Sequence, residues 1–120
     1  MDSSPQPQPT VVVVGSSNTD LVVKVRTIPR PGETVLGGDL LRAQGGKGAN
    51  QAVAAARAGA VVSFIACLGD DAFGDAALAS LRAENIAVAA VRRVPATPSG
   101  VALITVAADG QNSIVLEQTA

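Results

Sequence analysis

The run Val11-Val12-Val13-Val14, stopped by Gly15, constrains this chain more than any other feature. A short unbroken stretch of β-branched residues bounded by glycine reads as a strand. With no polar alternation it is expected to be buried on both faces, as in a parallel sheet. A second run of the same kind spans residues 61–67 and stops at Gly69. Between the two, residues 49–58 are alanine-rich and predict a helix, with Gly59 where a C-cap wants positive φ. Residues 73–84 predict another helix, and Asp71 stands where its carboxylate can accept the orphan N–H groups of the first turn. Residues 86–94 are weakly strand-like. This β-α-β-α-β order calls for an α/β fold with a parallel sheet and right-handed crossovers.

Other segments do not fit inside that sheet. Residues 20–25 and 35–43 read as strands, the second weakened by Gly37-Gly38. A loop carrying Pro29, Pro31 and Gly32 separates them. Residues 101–107 and 113–117 read as a hairpin turning at Asp109-Gly110. These pieces are expected to build a small second sheet beside the first, a β lid with strands near 20–26, 35–43, 100–107 and 113–117. Residues 1–10, rich in Ser, Pro and Gln, read as a disordered leader before a single domain over residues 11–120. They resemble neither a secretory signal nor a transit peptide.

Composition removes several classes of function. The chain has 120 residues with no His, one Cys, no Trp, no Tyr and two Phe. Histidine triads and His-containing metal sites are therefore out, as are an internal disulfide and stacking of bases on aromatic rings. Net charge is −1, so there is no basic footprint for nucleic acid or an anionic membrane. No apolar run approaches the length of a membrane span. A cytoplasmic location is the expectation. Cys67, inside an apolar run, reads as a small core residue.

Two segments can carry chemistry. The first, Gly15-Ser16-Ser17-Asn18-Thr19-Asp20, leaves the C-terminal end of the first strand, where open α/β sheets place ligands. In extended chain Asn18 and Asp20 project to one side. An amide beside a carboxylate suits vicinal hydroxyls, because one donates and accepts while the other only accepts. The same pair also reads as an Asx-turn that satisfies its own backbone. The second segment, Gly45-Gly46-Lys47-Gly48-Ala49-Asn50, opens a helix. Glycines there leave N–H groups open to a ligand, but a glycine hinge with an exposed lysine fits equally well. It is neither a Walker A loop, since Gly48 follows Lys47, nor a dinucleotide fingerprint, since position 51 is Gln. Gly69-Asp70-Asp71 reads as a helix cap rather than an acid pair. Asp75 and Glu84 read as solvated helix charges, and Arg92-Arg93 as a solvated strand end.

Taken together these segments resemble the ribokinase group of the phosphofructokinase-B type carbohydrate kinase family. The likeness rests on Gly15-Ser16-x-Asn18-x-Asp20, Pro31-Gly32-Glu33-Thr34 and Gly45-Gly46-Lys47-Gly48-Ala49-Asn50-Gln51-Ala52. Gly59 and Gly69 at signature spacing add to it, as do Gly100-Val101-Ala102-Leu103-Ile104 and Asp109-Gly110-x-Asn112. It runs over residues 11–116 and covers the N-terminal portion only of a family whose members are considerably longer. It implies part of a Rossmann-like sheet with flanking helices plus the β lid. Asn18 and Asp20 would bind ribose hydroxyls; Gly46, Lys47 and Asn50 would complete a polar wall; Ala102 and Leu116 would cover the apolar side of the sugar. Gly45-Gly46 would be the hinge of closure, and the lid would also make a homodimer contact.

The parent reaction implied is ATP-dependent phosphorylation of the D-ribose 5-hydroxyl, with Mg2+ and a monovalent cation such as K+ as cofactors. The segments of the family that hold the catalytic base, the nucleotide and the cation have no counterpart in residues 1–120. The chain alone is therefore expected to be inactive and to bind neither ATP nor the ions. Three other readings remain: a non-catalytic module that pairs with a full-length kinase through the lid, a poorly stable truncated product, and a kinase part for another sugar such as fructose.

Overall fold

In a computed structural model, described for residues 7–118 and 120, nine elements follow one another. They are β1 (Thr10–Val14), β2 (Asn18–Val25), β3 (Leu40–Gly45), α1 (Lys47–Arg57), β4 (Val61–Gly69), α2 (Ala72–Ala83), β5 (Val91–Val94), β6 (Gly100–Ala107) and β7 (Asn112–Glu117). They form two sheets. One is parallel in the order β1-β4-β5, and the other is mixed in the order β3-β2-β6-β7. In the second, β2 runs antiparallel to β3 and parallel to β6, and β6-β7 is an antiparallel hairpin. The radius of gyration is 17.6 Å and the extents are 65 × 40 × 19 Å. A compact domain of this length would have about 13.6 Å. The two sheets lie side by side, not one upon the other.

The first sheet is α/β as expected, but it is covered on one face only. The order β1-β4-β5 advances in a single direction, so right-handed crossovers put both helices on the same side. Alternation along β4 then decides burial. Val62, Phe64, Ala66 and Leu68 are buried on the helix face, and the first three pack in one cluster with Val13, Ala49, Ala52, Leu81 and Ile86. On the other face Val12 is 58% and Val14 73% exposed, with Val61 and Ile65 beside them. The valine run is thus not buried on both faces. Cys67 falls on the bare face and is exposed, not in the core.

Local signals explain most boundaries. Gly59 adopts φ 100 just after α1. Asp71 caps α2 by accepting from Gly74 N at 2.9 Å. Gly110 turns the β6–β7 hairpin with φ 88. Several expectations shift. Residues 35–39 are not strand: Gly38 N donates to Lys24 O at 2.9 Å, but a Cβ on Gly37 would strike Val23 Cγ1, so the chain crosses over that side chain instead of pairing beside β2. Residues 86–90 make only an isolated bridge, Ser63 with Ala87, before β5. The expected leader loses its end to the sheet, since Thr10 pairs with Val61 and Pro9 O accepts from Val61 N at 2.8 Å. Residues 1–6 lie outside the described residues. Arg93 is no solvated end. Its Nε donates to Gly69 O at 2.9 Å and its Nη2 to Asp71 O at 3.2 Å and Asp75 Oδ1 at 2.9 Å. Asp75 is therefore paired, and Glu84 is as well, with Arg57 Nη2 at 2.5 Å.

Candidate functional site

Three residues separate β1 from β2, and Asn18 opens β2. Its cross-strand partners are Gly45 on β3 and Gly100 on β6; those of Asp20 are Ala43 and Ala102, and Ala102 in turn faces Leu116 on β7. Directly opposed residues lie on one face of a sheet. Asn18, Asp20, Ala102 and Leu116 therefore share a face. The positions flanking the two polar side chains are all glycine or alanine. A Cβ on Gly45 would fall 2.5 Å from Asp20 Oδ2, and one on Gly100 would fall 2.6 Å from Asn18 Oδ1. Ala43, Gly45 and Gly100 were not singled out for this role. The signal that marks them is the two-residue spacing of small side chains on both neighbouring strands.

The polar pair is not satisfied internally. Asn18 Oδ1 is, among the described residues, the one buried side-chain N or O atom with no hydrogen-bond partner. An orphaned buried acceptor costs about 1–3 kcal/mol. The Asx-turn alternative would have given this oxygen a backbone donor, and no such bond forms. Burial also pushes the Asp20 carboxyl above its ordinary range, because desolvation disfavours the charged form. Donors from a ligand would relieve both groups.

The start of α1 packs hard against the β1–β2 turn. Gly46 has φ 93, and a Cβ there would lie 2.7 Å from Ser16 O; one on Gly48 would lie 2.7 Å from Gly15 Cα. Ala49 N donates to Ser16 O at 3.0 Å. These glycines serve close backbone contact. Gly46 thus sits beside the Asn18–Gly45 pair. Lys47 is exposed at the first residue of α1. Asn50, also exposed, borders a cavity of 640 Å³ between the helices, shared with Ser17, Gln44, Arg57, Ser80 and Glu84. The structure brings Asn18, Asp20, Ala102, Leu116 and Gly46 into one neighbourhood and puts Asn50 on the helix groove.

A second polar cluster joins the two sheets. Asp71 accepts from Ser99 N at 2.8 Å and Ser99 Oγ at 2.7 Å in addition to Gly74 N, and Gly69 N donates to Ser99 Oγ at 2.9 Å. Burial alone would raise the Asp71 carboxyl. The Ser99 and Gly74 hydrogen bonds and the nearby Arg93 charge outweigh it and hold the group below its ordinary range. Asp71 was expected as a cap; the tie to Ser99 comes from the fold. Among the described residues no three His, Cys, Asp or Glu side chains gather where a metal ion could sit. No helix among the described residues is long and apolar enough to cross a membrane.

Comparison with known proteins gives a consistent result. The profile of the pfkB family carbohydrate kinases matches residues 8–120. A ribokinase of Bacillus subtilis is 48% identical over 106 residues, 88% of this chain and 36% of that protein. A ribokinase of Haemophilus influenzae is 46% identical over 107 residues, 89% of this chain and 35% of that protein. The structure of Arabidopsis thaliana ribokinase complexed with ribose and ATP superposes with a TM-score of 0.83 at 36% identity, covering 95% of this chain and 37% of that one. The chain spans about a third of the length of the curated relatives it matches.

Proposed function

Because the chain belongs to the pfkB family of carbohydrate kinases, we propose that it is the sugar-binding N-terminal part of a ribokinase. The parent reaction is transfer of a phosphoryl group from ATP to the 5-hydroxyl of D-ribose. The observation that carries the reading is the orphaned Asn18 Oδ1 beside the desolvated Asp20 carboxylate, in a small-residue setting at the exit of β1. A sugar hydroxyl donates to each, and hydrogen bonds to a carboxylate are worth about 1.5–3 kcal/mol. Ala102 and Leu116 present apolar surface to the ring on the same face. Gly46, Lys47 and Asn50 complete the polar side; for Asn50 this requires its side chain to turn from the helix groove. The four-stranded sheet acts as the lid, closing about Gly45-Gly46.

Mg2+ and a monovalent cation such as K+ belong to the parent reaction, and no seat for them or for the nucleotide is assigned on this chain. Phosphoryl transfer depends on positioning and charge stabilisation. What this chain does in it is grip and orient the sugar. The site of action is cytoplasmic. The same sheet carries the homodimer contact: β7 is exposed along its length, and Ile114, Val115 and Leu103 lie bare upon the sheet.

The test is calorimetric titration of the 120-residue chain with ribose, 2-deoxyribose and fructose. Ribose binding that Asp20→Asn weakens about tenfold, matching one lost charged hydrogen bond, is the expected result, with no ADP formation from ATP. Equal affinity for all three sugars, unchanged in Asp20→Asn, overturns the sugar assignment; turnover near ~1–100 s⁻¹ overturns the assignment of the chain as a binding part alone.

A further inference from the structure

The connection from β5 to β6 carries the chain from the parallel sheet to the site-bearing sheet, as the β1–β2 turn also does, and it is fastened from several directions. Asp70 N donates to Thr97 O at 3.1 Å, and Thr97 Oγ1 donates to Pro95 O at 2.9 Å. Ala96 holds φ 51, a left-handed conformation that L-residues rarely adopt. Gly69 has no room for a Cβ because Ser99 N, Pro98 C and Thr97 O crowd it. Ser99, itself buried, ends this segment with every polar atom of its side chain and its N–H engaged by Asp71 or Gly69.

Directly after Ser99 stands Gly100, the cross-strand partner of Asn18. The clearance there is small, since a Cβ on Gly100 would be 2.6 Å from Asn18 Oδ1. A shift of the β6 start by a few tenths of an ångström therefore changes the space around the orphaned oxygen. Asp71 is well suited to prevent such a shift. Its Oδ1 accepts from Gly74 N and Ser99 Oγ, and its Oδ2 accepts from Ser99 N. Only a carboxylate provides acceptors on both arms. A second link starts from the next turn of chain, where the Arg42 guanidinium of β3 lies 5.7 Å from the Phe73 ring centroid of α2. The first turn of α2 thus reaches both β6 and β3, the two strands that flank β2.

We propose that Asp71 is a positioning residue: through Ser99 it fixes the start of β6 beside Asn18 and so sets the shape of the sugar-facing surface. This rests on the reading of that surface as a pentose site. A helix cap alone needs only one acceptor, so the two roles separate by mutation. Asp71→Ser keeps a good cap but is too short to reach Ser99. Asp71→Asn keeps Oδ1 and turns a donor toward Ser99 N. Ser99→Ala removes the hydroxyl and leaves the Asp71 cap intact, which serves if the Asp71 variants do not fold.

The experiment is heteronuclear NMR of the full 120-residue chain with ribose titration. The expected result is that both Asp71 variants shift the Asn18 side-chain amide and Gly100 backbone resonances and weaken ribose binding about tenfold, the equivalent of one hydrogen bond, while α1 and β1 resonances hold. Ser99→Ala should do the same to a lesser degree. If Asp71→Ser binds ribose like the parent chain and leaves the Asn18 amide unmoved, Asp71 is only a cap and the proposal falls while the sugar reading stands. If the parent chain ignores ribose but the Asn18 amide still moves in all three variants, the coupling stands and the sugar reading falls.

Discussion

The two sheets put similar residues to opposite uses. In β1-β4-β5 the large side chains face the helices, and Phe64, Val62 and Leu68 are the most deeply buried large residues of the chain. In β3-β2-β6-β7 large side chains such as Leu103 and Val115 stand half exposed; Thr19, Val25 and Ala107 are buried away from the site, and the covered positions around the carboxamide and the carboxylate are Gly45, Gly100 and Ala102. Burying large apolar groups stabilises a fold at roughly 25 cal/mol per Å². Leaving polar groups under-satisfied does the reverse and creates a place for a ligand. The first sheet carries the stability, and the second spends some of it to hold an unsatisfied pair.

The largest effect that can break this comparison is a paired truncation. Phe64→Ala should cost about 3–5 kcal/mol and Leu103→Ala about 0.5 kcal/mol or less, read from urea unfolding. Since native domains have only about 5–15 kcal/mol in hand, loss of the folded state in Phe64→Ala fits the same expectation. A Leu103→Ala cost equal to that of Phe64→Ala would mean that the second sheet has a core of its own.

Glycines sharpen the contrast further. Gly59, after α1, has φ 100 and nothing within 4 Å of a built Cβ. Gly59→Ala should therefore cost about 1 kcal/mol of stability through backbone strain and leave ribose affinity unchanged. Gly45→Ala meets no such strain but drives its methyl onto the Asp20 carboxylate. It should weaken ribose binding about tenfold, as loss of one charged hydrogen bond would, with a smaller change in melting temperature. Calorimetry and thermal melts on the two variants decide it; an unchanged affinity in Gly45→Ala removes Asp20 from the site.

Much of this was legible in the chain itself, for physical reasons that can be named. Element order, the Gly59 and Gly110 turns and the Asp71 cap follow from local rules that act over a few residues. Asn18 and Asp20 were legible because strand parity puts them on one side whatever they pair with. What failed was anything set by distant neighbours. A valine run looks doubly buried, yet Val12 and Val14 are bare because both crossovers fall on one side. Cys67 follows the same parity onto that bare face. Residues 35–39 have strand-like residues, but Gly37 rides over Val23. Arg93 looked like a solvated end, and its partners Gly69, Asp71 and Asp75 come from 18 to 24 positions away. Ser99 carried no signal at all before β6 was placed beside Asn18.

The smallest effect lies in the pH dependence of stability, where the two regions have carboxyls of opposite sign. The Asp71 carboxyl is held down in the folded state. It contributes stability that is present above its unfolded pKa, about 3.9, and is lost as pH falls through the lower folded value. Asp20 is pushed up by burial. It favours the folded state below about 3.9, and that contribution disappears as pH rises through the raised folded value. Glu84 is also held down, by Arg57, so the measurement is made in a Glu84→Gln background. Unfolding free energy followed from pH 3 to 6 should then fall less steeply on acidification in Asp71→Asn. In Asp20→Asn it should lose the opposing decline just above the ordinary carboxylate range. On the proposed sugar reading, ribose should shift that second change, because hydroxyl donors favour the ionised Asp20 and would pull its pKa back down. If saturating ribose leaves the Asp20-dependent slope untouched, the carboxylate does not meet the sugar, and the two sheets differ in packing but not in task.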